Sequence, residues 1–166
     1  MDQVTFEGEI YPEFQAKGNA AQFALPFAKY ICKGKGLDIG GNNPDWALPG
    51  ARLIDLTITS DAFDAFNLPD EEYDYIFSSH CLEHLPDWVG ALDHWTSRLK
   101  IYGQLFLYLP HPEQRYWRPW NNRKHINMLE PEHIRGYLEA RNYHEIVVTE
   151  GYDLNHSFYA TAMYCG

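Results

Sequence analysis

Apolar residues along this chain fall into short runs separated by polar, glycine-rich and proline-containing stretches. Six of these runs are rich in aliphatic or aromatic residues and are bounded by turn-forming residues, a pattern typical of strands. The strands so predicted are residues 37–39, 52–56, 73–79, 104–109, 143–149 and 157–164. Helix-like spacing occurs between several of them, so the sequence predicts strands that alternate with helices.

Three segments show the helical period. Residues 19–32 are the first, and Pro26 is expected to kink that helix or to mark a restart. The second follows Asp87, a good N-cap, and extends to Lys100, whereas the third begins at Pro131, the favoured first position. The apolar face predicted for the first helix comprises Phe23, Phe27, Tyr30 and Ile31.

Alternation of strands and helices predicts an α/β fold with a doubly wound, Rossmann-like and mainly parallel sheet that is covered on both faces. The last two predicted strands have only a short link between them, so we expect an antiparallel pair at the C-terminal edge. No repeat or low-complexity linker divides the sequence, and its 166 residues fit one domain. We therefore expect residues 1–166 to form a single domain.

The composition and charge of the chain indicate which classes of binding partner to expect. The formal net charge of −10 would repel nucleic acid and anionic membranes. The first residues lack the features of a secretory signal, and no apolar run approaches the roughly 20 residues of a membrane span. The three cysteines are widely spaced and form no paired motif. We expect a reduced, cytoplasmic protein with no nucleic-acid or membrane partner.

The candidate chemistry begins where the first short strand runs into the adjacent glycines Gly40 and Gly41. A strand that leads into such a turn brings backbone N–H groups against a nucleotide-like cofactor in α/β folds. The next apolar run ends at Asp55, and an acid at that position is suited to ribose hydroxyls. The two features together predict a cofactor and the place where it binds.

Four segments, taken in order, resemble the class I S-adenosylmethionine-dependent methyltransferases over roughly residues 20–164. Leu37–Gly40 is similar to the start of the cofactor loop of that family, and Asp64–Pro69 to its adenine-side loop. Tyr73–Asp87 resembles the strand-4 signature, and Arg98–Leu105 the helix–glycine–strand-5 element. Strand–glycine–helix units occur in many folds, so the combined order and spacing carry the resemblance.

This resemblance implies a small methyltransferase that uses S-adenosylmethionine, with a cofactor-binding half at about residues 19–100 and an acceptor-side half at about residues 101–166. It implies Asp38 at the methionine end of the cofactor, Asp55 at the ribose and Asp64 at the adenine amino group. The cofactor-binding residues that it implies are Asp38, Gly40, Gly41, Asn42, Asp55, Leu56, Asp64, Ala65, Ser79 and His80.

The glycine loop departs from the family pattern. The family spaces its loop glycines by single residues, whereas Gly40 and Gly41 are adjacent and are followed by Asn42-Asn43-Pro44. Either the loop is one residue shorter or an asparagine replaces a glycine. Because asparagine tolerates a left-handed backbone better than most residues, the turn can still form.

Residues 80–84 also spell H-x-x-E-H, a zinc-protease signature. A zinc-dependent hydrolase using His80, Glu83 and His84 would need both histidines on one helical turn and a third ligand. Here His80 directly follows an apolar strand and Pro86 interrupts the stretch, so we predict no metal.

Two histidines are candidate catalytic bases. His111 follows the strand at residues 104–109, at the sheet edge where ligands gather, and His80 lies at the exit of the strand at residues 73–79. A neutral imidazole at either position could take a proton from the methyl acceptor. The alternatives are a solvated loop histidine for His111 and a structural hydrogen bond for His80.

The segment from Arg115 to His125 is the one basic and aromatic stretch of the chain. It predicts a lid whose rings stack on a small-molecule or carbohydrate acceptor and whose arginines hold an anion. The alternative is a long loop whose tryptophans pack onto the sheet.

The predicted reaction is O- or N-methylation of a small-molecule or carbohydrate acceptor. A non-catalytic module that binds S-adenosylmethionine or S-adenosylhomocysteine would share these motifs, whereas a nicotinamide dehydrogenase expects G-x-G-x-x-G, which is absent.

Overall fold

The computed structural model describes residues 3–12, 19–58, 60, 62–120 and 124–166. The strands are β1 (Gln3–Phe6), β2 (Glu9–Pro12), β3 (Gly36–Ile39), β4 (Arg52–Ile54), β5 (Tyr73–Ser79), β6 (Leu99–Pro110), β7 (Tyr143–Val148) and β8 (Ser157–Tyr164). The helices are α1 (Ala21–Ile31), α2 (Trp88–Thr96) and α3 (Pro131–Glu139). Among the helices in this part of the chain, none is long and apolar enough to cross a membrane.

Six strands form the main sheet, in the order β4-β3-β5-β6-β8-β7. Neighbouring strands from β4 to β6 are parallel, whereas β8 is antiparallel to both β6 and β7. The antiparallel pair forms because the link between β7 and β8 is too short for a crossover connection. The α/β fold with an antiparallel C-terminal edge pair, as predicted from the sequence, is confirmed.

Alternate residues of β5 contribute to two hydrophobic layers. Ile76 belongs to a cluster that contains Trp95 of α2 and Ile134 of α3. Tyr75 and Phe77 belong to the other cluster, which includes the alanines of α1. A two-residue period of this kind is what a sheet covered on both faces requires.

The buried face of α1 differs from the predicted one. Ala24 and Ala28 are buried, whereas Phe27 and Tyr30 are 44% and 78% exposed. The layer beneath α1 is already filled by large rings, such as that of Phe106, so small side chains let the helix approach it. The helix remains continuous through Pro26.

Strand β6 begins earlier than predicted, because Leu99 pairs with Tyr73 instead of ending the preceding helix. Lys100, expected in the last helical turn, therefore lies in the strand. The register shifts between Tyr73 and Tyr75, and Tyr102 has a left-handed φ of 69°. An irregularity of this kind interrupts the alternation of apolar residues. The sequence pattern therefore did not indicate where the strand begins.

Strands β1 and β2 form an N-terminal hairpin that was not predicted. Glu7 and Gly8 make its two-residue turn, and both have positive φ, 48° and 85°. Turns with this backbone match the twist of paired strands. The Glu-Gly pair between the runs at residues 4–6 and 10–11 is the signal that could have identified the hairpin.

Candidate active site

A cavity of about 790 Å³ lies at the carboxyl ends of β4 and β5, where parallel sheets bind ligands. Seven of the ten residues that the resemblance implies for the cofactor line it: Gly40, Asn42, Asp55, Leu56, Asp64, Ala65 and His80. Asp38, Gly41 and Ser79 do not line it. The wall also contains residues that the sequence did not single out for this site, among them Thr57, Phe66, Cys81, Lys124 and Ile126.

The adjacent glycines satisfy two separate steric demands. Gly40 has a φ of 91°, and a Cβ there would stand 2.7 Å from the Cβ of Cys81. A Cβ on Gly41 would stand 2.7 Å from Oδ1 of Asp38. Asn42 does not have a positive φ, so the expected left-handed asparagine is not needed. The departure from the family glycine spacing therefore still gives a well-packed turn.

Asp38 lies beneath the turn instead of in the cavity wall. Its side chain is buried, and Oδ2 accepts a hydrogen bond from the Leu48 backbone N at 2.8 Å. Burial raises the pKa of this carboxyl to about 6. Asp38 thus ties the far end of the glycine loop to β3, and a direct contact with the cofactor stays a prediction.

Asp55 directly follows β4 and is oriented by Thr57. The backbone N and the hydroxyl of Thr57 both donate to Oδ1 of Asp55, at 2.8 and 2.5 Å. Asn42 Nδ2 donates in turn to Thr57 Oγ1 at 3.2 Å. These bonds connect the glycine loop to the carboxyl end of β4. The D-x-T spacing, typical of an Asx turn, is the sequence signal for the role of Thr57.

Asp64 and Ala65 lie in a tight loop that is anchored to the core. Asp64 Oδ1 accepts a hydrogen bond from the Phe66 backbone N at 2.7 Å. Trp95 Nε1 donates to the carbonyl oxygen of Ala65 at 2.7 Å. Because Trp95 is fully buried in α2, the loop is held in one position beside the cavity.

Three exposed apolar side chains surround the same cavity. Leu56, Phe66 and Ile126 are 80%, 47% and 50% exposed, and all three line the wall. Apolar groups that cluster around a concave site favour a ligand with apolar or planar surface.

His80 follows β5 directly and has a left-handed φ of 50°. Its Nε2 lies 2.8 Å from Ser157 Oγ, and its Nδ1 lies 3.6 Å from Oε1 of Glu83. Burial lowers the pKa of the imidazole to about 3, so the ring is neutral near pH 7. The structural hydrogen bond weighed as an alternative is therefore present, and a base with so low a pKa is a weak proton acceptor.

The H-x-x-E-H stretch does not form the helix of a zinc protease. Glu83 and His84 belong to a short 3₁₀ turn, Leu82–His84, whereas His80 precedes that turn in a different backbone conformation. The two histidines therefore do not share one helical turn, and the geometry does not support the hydrolase hypothesis.

His111, the other candidate base, lies outside the cavity wall. Its Nδ1 accepts a hydrogen bond from the Glu113 backbone N at 3.2 Å, so Nε2 donates to the carbonyl oxygen of Glu150 at 2.9 Å. The ring is buried, so the alternative of a solvated loop histidine is wrong. A role as the base stays a prediction that this geometry does not favour.

The aromatic segment packs partly on the protein. Trp117 stacks on His125, with 5.2 Å between the ring centroids. Arg118 Nε donates to the carbonyl oxygen of Gln114 at 3.0 Å, and its guanidinium lies over the ring of Trp120. Arg118 thus supports its own loop, which differs from the predicted anion-holding role, whereas Trp120 is exposed.

Part of the predicted lid, Asn121 to Arg123, lies outside the described residues. Directly after it, Lys124 and Ile126 line the cavity. The end of the aromatic segment therefore reaches the candidate site, and its role as a lid stays a prediction.

A methyltransferase-domain family model matches residues 16–148, most of the chain. This chain belongs to the methyltransferase-domain family. The predicted resemblance to the class I S-adenosylmethionine-dependent methyltransferases is thereby confirmed at the level of the family. No curated protein matches the sequence at a significant level.

Solved methyltransferase structures share this fold at low sequence identity. A S-adenosylmethionine-dependent methyltransferase from Archaeoglobus fulgidus is 17% identical, with a TM-score of 0.64, over 91% of this chain and 99% of that chain. N-methyltransferase NodS from Bradyrhizobium japonicum, in complex with S-adenosyl-L-homocysteine, is 18% identical, with a TM-score of 0.62, over 93% and 88%. Human N-acetylserotonin methyltransferase, in complex with S-adenosylmethionine, is 12% identical, with a TM-score of 0.59, over 93% and 53%. These similarities show the fold.

Proposed function

We propose that this chain binds S-adenosylmethionine in the cavity and transfers its methyl group to an oxygen or nitrogen of a small-molecule or carbohydrate acceptor. The observation that carries the proposal is that Asp55, Asp64 and an apolar rim converge on one cavity in a member of the methyltransferase-domain family. Two similar structures contain S-adenosylmethionine or its demethylated product, which supports the same cofactor here.

The cavity suits this cofactor in its size and in the hydrogen-bond acceptors of its wall. Ligand pockets are typically about 300–1,000 Å³, and this cavity measures about 790 Å³. The carboxylate of Asp55 suits ribose hydroxyls, and that of Asp64 suits an amino group, because ionised carboxylates are strong acceptors. Leu56 and Phe66 offer apolar surface for a planar base.

S-adenosylmethionine, when bound, supplies the reactive sulfonium, so the contributions of the protein are binding and alignment. Thr57 fixes the orientation of the Asp55 carboxylate, and Trp95 fixes the Ala65 loop, so both sides of the cavity are organised before ligand binds. Alignment of two reactants is worth up to about 7–11 kcal/mol of the barrier. His80 is a neutral, fixed group in the same wall. We therefore assign it a role in orienting the bound reactants and not a role in removing a proton.

The proposed acceptor class rests on the acceptor-side loop and on charge. The loop exposes Trp120, whose ring offers a face for a sugar or another planar group. The net charge of −10 disfavours a nucleic-acid acceptor. A non-catalytic cofactor-binding module is distinguished by turnover, since it would bind the cofactor and release no S-adenosylhomocysteine with any acceptor.

Isothermal titration calorimetry with S-adenosylhomocysteine and NAD tests the cofactor. We expect the wild-type chain to bind S-adenosylhomocysteine and not NAD. Loss of charge-assisted hydrogen bonds costs about 1.5–3 kcal/mol, so Asp55→Ala should weaken binding by roughly 10- to 100-fold.

Asp70→Ala is the matched control, because it removes the same charge from an exposed carboxylate that pairs with Arg98 outside the cavity wall. It should bind S-adenosylhomocysteine as the wild type does. No binding by the folded wild-type chain, or a preference for NAD, would overturn the proposed function.

A further inference from the structure

A buried carboxylate lies among histidines next to the cavity wall, which its neighbour His84 lines. Glu83 is 1% exposed, and neither of its carboxylate oxygens has a hydrogen-bond partner among the described residues. Its Oε1 lies 3.8 Å from His84 Nε2 and 4.0 Å from His125 Nε2. A buried carboxylate without hydrogen bonds is costly, so this arrangement calls for a ligand or a proton.

The spacing of these three donor atoms suits a metal ion. All three lie within 4.8 Å of one another. Tetrahedral sites with metal–nitrogen and metal–oxygen bonds of about 2.0–2.2 Å place neighbouring donors roughly 3.3–3.6 Å apart. The 3.8 and 4.0 Å separations from Glu83 therefore need to shorten by a few tenths of an ångström, and a separation at the 4.8 Å limit of the set would need to shorten by about 1.3 Å.

A hydrogen bond orients the His84 ring as a metal ligand requires, and a ring stack holds the His125 ring. His84 Nδ1 lies 2.7 Å from the carbonyl oxygen of Lys124, so Nδ1 carries the proton and the lone pair of Nε2 faces Glu83. Ligating histidines commonly donate their second N–H to a carbonyl, as His84 does. The His125 ring is held by stacking on the indole of Trp117.

We propose that Glu83, His84 Nε2 and His125 Nε2 bind a divalent transition-metal ion at the edge of the cavity, where His84 lines the wall. Two imidazoles and one carboxylate suit Zn²⁺ and Co²⁺, and three protein ligands leave a coordination position for water or for an acceptor oxygen. His84 and Leu85 line the cavity, whereas Glu83 and His125 do not, so His84 is the ligand through which the site meets the cavity.

This inference revises the expectation of a metal-free stretch at residues 80–84. The third ligand, His125, comes from the far end of the aromatic segment and was not predicted to meet Glu83. Binding of the metal does not depend on the proposed methyl transfer, whereas any effect on the acceptor rests on that proposed function.

Titration of tag-free, chelator-treated full-length protein with Co²⁺, followed by visible absorption, and with Zn²⁺, followed by calorimetry, tests the site. We expect one ion per chain, with the absorption of a four- or five-coordinate Co²⁺ site. Glu83→Gln and His125→Gln should each weaken binding by at least about tenfold, because each removes one of three ligands.

His144→Gln is the matched control, since His144 is exposed on β7 outside the cluster, and it should bind the ions as the wild type does. Should Glu83→Gln or His125→Gln not fold, as judged by circular dichroism, the partly exposed His84→Gln replaces it. Absence of Co²⁺ and Zn²⁺ binding by the wild type, or unchanged binding in the folded variants, would refute the site. Binding of S-adenosylhomocysteine by the chelated protein, measured separately, distinguishes this failure from failure of the proposed function.

Discussion

Two glycines, one in the glycine turn and one in α3, differ in their tolerance of a side chain. Gly40 combines a φ of 91° with a Cβ position 2.7 Å from the Cβ of Cys81. L-residues are strained at such a φ, and Cys81 is itself buried against the turn. Gly136, by contrast, lies in the exposed face of α3, where an added Cβ would meet nothing within 4 Å.

Replacement of these two glycines by alanine should therefore change stability in opposite directions. Gly40→Ala should lower the free energy of unfolding by about 1–3 kcal/mol, because backbone strain adds to the clash. Gly136→Ala should raise it by roughly 0.5–1 kcal/mol, since alanine has the higher helix propensity. Urea unfolding followed by tryptophan fluorescence measures both, and equal effects of the two substitutions would contradict the geometry described for Gly40.

At the scale of elements, one buried tyrosine makes hydrogen bonds that join the N-terminal hairpin to the backbone of the acceptor-side loop. Tyr11 is fully buried, and its hydroxyl oxygen accepts hydrogen bonds from the backbone N atoms of Arg115 and Tyr116, at 2.9 and 3.3 Å. The same hydroxyl donates to the carboxylate of Glu9. Tyr11 of β2 therefore helps to fix the start of the aromatic segment, together with the contacts that the segment's own side chains make.

Tyr11→Phe should release that segment. The substitution leaves two backbone N–H groups without their acceptor, which costs about 1–3 kcal/mol of unfolding free energy. Amide hydrogen exchange at Arg115 and Tyr116 should also become faster. Tyr30→Phe is the matched control, because the Tyr30 side chain is 78% exposed, and it should change stability by less than about 0.5 kcal/mol. Unchanged exchange at the two amides would show that the hydroxyl does not fix the loop.

Across the whole molecule, features that depend on neighbouring residues in the sequence could be predicted, whereas features that depend on contacts between distant segments could not. The sheet strands and the Asp87 cap depend on local pattern, and the structure contains them, with Asp87 accepting from the Gly90 backbone N. Asp55 was identified because the end of a strand is also visible locally. The support from Trp95 and the approach of His125 to Glu83 join distant segments, which no local pattern encodes.

Folding of this acidic chain also buries carboxyl groups, which makes its stability depend on pH. Burial raises the pKa of Asp38 to about 6, from an ordinary value of 3.8. Between these two values, unfolding of the chain releases a proton from Asp38. The contribution of Asp38 to the free energy of unfolding is therefore at its maximum below about pH 4, and it is lost as the pH rises through about 6.

Asp38→Asn isolates this contribution, because the amide oxygen can still accept the bond from Leu48 while the side chain no longer titrates. The shift corresponds to about 3 kcal/mol, so relative to the wild type the variant should gain about 2–3 kcal/mol of stability between pH 4 and pH 7. Urea unfolding across this range, with chelator present so that Glu83 binds no metal, gives the difference. Asp70→Asn changes an exposed carboxyl and should leave the pH profile parallel to that of the wild type. A parallel profile for Asp38→Asn as well would mean that Asp38 is solvated in the folded protein, and that the glycine loop is less closely packed against β3 than described.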